Sequence, residues 1–139
     1  SPSYLRYQLL AHEGWHGIFF VDEEFRNTVA SIYYTIDPQT LAYMRRYFQV
    51  TPSLNYDVRD DYLMKNEFMA YMLERPVSAI ADYYISKAQG NHSQTYAKPL
   101  ADYIIQTSAE GFVSASTLLE EYVSARWNLA AGRVWLISR

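Results

Sequence analysis

The chain contains no cysteine, so disulfides and thiolate metal sites are both excluded. It has no excess of basic charge: 12 Lys and Arg stand against 15 Asp and Glu, for a formal net charge of −3. That argues against a nucleic-acid partner, which needs a basic stripe. No apolar run reaches transmembrane length. No initiator Met, basic leader or targeting segment precedes Ser1-Pro2, which we read as the start of a mature fragment or of a piece of a longer protein. Alternating strand patterns are nearly absent, and we see neither repeats nor low-complexity stretches.

What remains is a globular composition. Half of the 139 residues are apolar and 19% are charged, enough for one hydrophobic core. Tyrosine is abundant, at 14 residues, and suits surfaces that are half apolar and half wet, such as clefts.

The punctuation predicts a single all-α domain of six to seven helices. An apolar stretch runs from about Tyr4 to Phe20. Asp22 offers an N-cap, with Glu23 and Glu24 in the turn that follows, for a helix to about Tyr34. Asp37-Pro38 opens a third helix to about Phe48. After a loop at residues 51–55, Asp57 or Asp60 caps a fourth helix ending near Glu74. Pro76 restarts helix, Gly90-Asn91-His92-Ser93 reads as a loop, and Pro99 opens a helix to about Ala109. Gly111 reads as a stop, Thr117 and Glu120 as a capping box for the last helix, Gly132 as its end, and 134–137 as a short extended tail.

Residues 12–16 read His12-Glu13-Gly14-Trp15-His16. On a helix, residues four apart share a face, so the two imidazoles can converge on one zinc ion at roughly 2.0–2.1 Å each. Glu13 lies on the neighbouring strip, where its carboxylate reaches a water without being a ligand. Zinc brings the pKa of such a water down to about 7. Leu5, Leu9, His12, His16 and Phe19 fall on one stripe, which points both histidines toward the core; burying two imidazoles is costly unless both find partners. A metal satisfies both at once. A catalytic zinc site normally has a third protein ligand, and the candidates are Glu67, Asp22 and His92.

His12-Glu13-Gly14-Trp15-His16 followed at a distance by Asn66-Glu67-Phe68-Met69-Ala70 resembles the gluzincin metallopeptidases, the thermolysin-like and aminopeptidase-N-like group. The resemblance covers about residues 5–75. It implies His12, His16 and Glu67 as zinc ligands, Glu13 as general base and acid, and a peptide or protein substrate. It also implies a β-rich part upstream, whose edge strand would hold an extended substrate. The sequence departs from the pattern at Tyr71, where thermolysin-like members carry an Asp that orients a zinc histidine; Asn66 or another acidic side chain must then supply that support. Tyr56, Tyr62 and His92 are the candidate oxyanion donors.

Asp22 imitates the metzincin pattern, but Phe19 stands where that pattern needs a glycine to leave the helix sharply. Glu13 to His16 is also an E-x-x-H, the di-iron bundle motif, present here in a single copy. A helical interaction or scaffold module that keeps a metal without hydrolysis is the alternative from another class. Oligomeric state is not legible. A bacterial envelope or secreted setting suits a cysteine-free peptidase.

Overall fold

The computed structural model describes residues 2–51, 53–54, 56–91, 94 and 97–133; of these, the side chains of residues 2–5 and 7 are not described. His92, part of the 90–93 loop and the tail at 134–137 therefore lie outside the described residues. Within them the fold is all-α. Helices α1 (Pro2–Val21), α2 (Glu23–Thr35), α3 (Pro38–Val50) and α4 (Asp61–Leu73) are followed by a 3₁₀ turn (Val77–Ala79). Then come α5 (Ile80–Asn91), α6 (Lys98–Gln106) and α7 (Glu110–Trp127). No strand occurs among the described residues, only an isolated bridge between Ala130 and Arg133. No helix is long and apolar enough to cross a membrane.

The predicted caps form. Asp22 accepts from the Phe25 amide at 2.7 Å, Asp37 from Thr40 at 3.2 Å and Asp60 from Leu63 at 3.0 Å, each supplying a partner to an otherwise orphaned N–H. Asp57 instead accepts from the Arg59 amide at 3.0 Å in the preceding turn.

α4 is the central helix, packed by α1, α2 and α7. Its Met64, Phe68, Met69, Ala70, Met72 and Leu73 are all buried, which is the pattern of a helix that is apolar nearly all round. The end of α4 is tied down from two sides. Ser116 Oγ on α7 donates to the Met72 carbonyl at 3.0 Å, and the Gly132 amide donates to the Leu73 carbonyl at 2.7 Å. Gly132 has φ +88, and a Cβ there would lie 3.0 Å from Pro76 Cδ, so only glycine fits that tie.

Four boundaries differ from the sequence reading. Gly90 and Asn91 belong to α5 and not to a loop. Gly90 is exposed and a Cβ there would meet nothing, so this glycine weakens the helix without breaking it. Gly111 does not stop a helix but lies in the first turn of α7. A Cβ there would sit 2.3 Å from Thr40 Oγ1, so the glycine serves close approach of α7 to α3. The actual break before α7 runs through Ser108 and Ala109, both at positive φ, with the Ala109 amide closing back on the Ile104 carbonyl at 2.8 Å. Thr117 is consequently mid-helix, its hydroxyl donating to the Val113 carbonyl at 2.8 Å, and opens nothing. α7 ends before Gly132, at Asn128 in the left-handed conformation.

Candidate metal centre

α1 places its core side chains at Ala11, Trp15 and Phe19. His12 and His16 lie on the next strip, half-buried, where α1 packs on α4. This corrects the stripe expected from sequence: Phe19 is core, Leu9 is 61% exposed, and the histidines flank the core without pointing into it. Glu67 comes from the facing side of α4 and is buried.

Three ligand atoms converge there. His12 Nε2 and His16 Nε2 are 3.0 Å apart. Glu67 Oε2 lies 3.1 Å from His16 Nε2, and Glu67 Oε1 lies 3.6 Å from His12 Nε2. Two donors each about 2.0–2.1 Å from an ion in tetrahedral coordination stand about 3.3–3.4 Å apart; the two rings approach each other near that spacing, and each also meets one of the two Glu67 oxygens near it. No other group of three or more His, Asp or Glu side chains with this geometry occurs among the described residues.

The far side of each ring explains why Nε2 is free to ligate. His12 Nδ1 is 2.7 Å from Glu74 Oε1, and His16 Nδ1 is 2.7 Å from Asn66 Oδ1. If each Nδ1–H donates to its oxygen, each neutral ring turns its lone pair to Nε2. Two lone pairs and a carboxylate then face one another at hydrogen-bond distance with no proton between them. Such a set is stable only around a cation, and the choice is between protons and a metal.

Without a metal, protons fill the role. Burial alone would lower the His12 pKa, but hydrogen bonds with Glu67 and Glu74 override it and raise it to about 9. His16 is raised for the same kind of reason, burial opposing and Glu67 and Asn66 prevailing. Burial would raise Glu67, yet the bonds from His12, His16 and Tyr56 hold it down to about 2. The carboxylate is thus ionised and available as a ligand. The donor set, two imidazoles and one carboxylate, could hold a metal ion.

Glu13 is exposed on the strip beside the two rings, and no described residue forms a hydrogen bond or ion pair with it. The Tyr56 hydroxyl donates to Glu67 Oε1 at 2.8 Å. Burial, followed by that bond to an anion, raises the Tyr56 pKa far above the phenol range. Tyr62 does not join the site: it is 48% exposed, with its ring edge-on to Phe19 at 5.3 Å. Asp22 caps α2 and pairs with Arg126 at 2.8 Å, away from the cluster. Tyr71 packs edge-on against His12, ring centroids 5.4 Å apart.

Sequence reading anticipated Asn66 but not the role of Glu74. Its spacing carried a signal, since Glu74, the C-cap of α4, follows Glu67 by two helical turns on the same side. Comparison with protein-family models, curated proteins and solved structures returns no match.

Proposed function

We propose that the protein is a zinc-dependent metallopeptidase, with His12, His16 and Glu67 holding the ion and Glu13 as general base. The observation that supports this best is the meeting of three electron-pair donors within 3.0–3.6 Å, each imidazole having its other nitrogen already engaged. When bound, zinc supplies Lewis acidity, making a water more acidic and polarising a carbonyl oxygen.

The chain's own residues do the rest. Glu13, exposed, next to His12 in sequence and with no partner among the described residues, takes a proton from the attacking water and delivers it to the leaving amine nitrogen. Tyr56 is the one described candidate donor that touches the ligand set, and its hydroxyl fixes Glu67 Oε1 so that Oε2 faces His16. The partly open flank at His12 and His16, 15% and 19% exposed at the side chain, is where a substrate carbonyl can approach.

A second reading, a metal-binding helical interaction or scaffold module without hydrolytic activity, is favoured by one observation. No strand among the described residues lies beside α1 to pair with an extended peptide.

The two readings separate in one experiment. Metal content after dialysis is measured together with hydrolysis of a mixed peptide library, for the native chain and for Glu13→Gln. The peptidase reading expects zinc in both proteins and a rate at least about 100-fold lower in the variant. Stoichiometric zinc with no cleavage by the native chain supports the scaffold reading. Activity that survives Glu13→Gln contradicts the assigned base.

A further inference from the structure

Glu74 and Arg75 are neighbours in sequence, both buried, and paired with each other through Glu74 Oε2 and an Arg75 terminal nitrogen. The other oxygen, Oε1, meets His12 Nδ1 at 2.7 Å. The Arg75 guanidinium carbon lies over the Tyr83 ring, 3.2 Å from its centroid. Beneath them, the carbonyls of Met72 and Leu73 are held by Ser116 and Gly132. Glu74 is therefore fixed through its backbone by α7 and the following turn, and through its carboxylate by a cation that is itself clamped on an aromatic face.

A buried ion pair returns little net stability, and apolar residues of similar size commonly serve as well or better. This pair also leaves Arg75 Nε buried without a partner. Packing alone does not account for it; its contact with His12 does.

We propose that Glu74 is the positioning residue for His12, and that Arg75 on Tyr83 holds Glu74 in place for that purpose. Tyr71 meets His12 only edge-on, ring to ring, so the acceptor for Nδ1 is Glu74, one helical turn further along. Glu74 fixes the ring's tautomer and its rotation, so Nε2 presents its lone pair beside His16 and Glu67. The inference rests on the metal-centre reading above.

The test uses zinc and cobalt(II) as probes on the whole chain. Zinc affinity is measured by competition with a chromophoric chelator, cobalt coordination by its visible spectrum, and unfolding on the metal-free proteins. Two variants are compared with the native chain. Glu74→Gln retains the shape but places an amide against Arg75. The double variant Glu74→Leu with Arg75→Met removes both charges together, so that neither Glu74 nor Arg75 leaves the other as an unpaired buried charge. Both should bind zinc about 10- to 100-fold more weakly and shift the cobalt bands. The metal-free double variant should still unfold in one cooperative transition, so that its weaker zinc binding reports on the site and not on a failure to fold. Zinc affinities within about twofold of native, with unchanged cobalt spectra, would overturn the positioning role alone. A native chain that takes up neither ion would overturn this role and the metal centre together.

Discussion

Each imidazole of the pair commits one nitrogen to an acceptor, and that commitment decides what the other nitrogen can do. His12 is bound to a carboxylate and His16 to a neutral amide, so their partners are not equivalent. Asn66→Ala should weaken zinc binding by about tenfold, the low end for an outer partner, in a chelator competition. Glu67→Ala removes a ligand and leaves two imidazoles facing each other, and should abolish stoichiometric binding in the same assay. At this scale the sequence was informative where one helical turn sufficed: His12 and His16 four apart, with Glu13 between them. It was less so where the partner lay across a helix–helix contact. Asn66 and Glu67 sit on α4 and Glu74 is its C-cap, but which of them meets which ring depends on how α1 is rotated against α4, and spacing along α4 gives only the side they share.

The helices are set by caps that act within a few residues, and these were legible: Asp22, Asp37 and Asp60 all cap as expected. Gly111 was misread because a glycine that ends a helix and a glycine that admits a neighbouring helix look alike in sequence, and the deciding atom belongs to Thr40. The turn at Ser108 and Ala109 was missed for the converse reason, since neither is a residue that normally marks positive φ. Gly111→Ala should destabilise the fold by about 1–3 kcal/mol, because Thr40 is fully buried and bound to Asp37 and cannot move aside. Chemical denaturation should show this as a lower midpoint at unchanged slope. Gly90→Ala, in open space on α5, should instead be neutral or mildly stabilising by the same measurement.

Across the whole molecule, the centre joins the first helix to the central one, so protons and metal compete for a contact on which the packing of α1 depends. His12 is raised above its ordinary 6.5, so in the metal-free protein its contribution is complete below about pH 6.5 and is lost as pH rises through about 9. Glu67 is depressed below its ordinary 4.5, so its contribution is present above that value and is lost as pH falls through about 2. The metal-free chain gains most from this contact between about pH 4.5 and 6.5. Zinc binding requires both rings deprotonated and therefore strengthens with pH. Thermal unfolding with and without zinc should diverge steadily between pH 6 and 9, the loaded form gaining as the free form declines. A gap that stays constant or narrows over that range would mean that zinc does not replace those protons. The most direct measurement is anomalous scattering at the zinc edge from crystals grown with one equivalent of the ion. The account predicts a single peak about 2.0–2.2 Å from His12 Nε2, His16 Nε2 and a carboxylate oxygen of Glu67. A peak at Asp22, or no peak between α1 and α4, would contradict it.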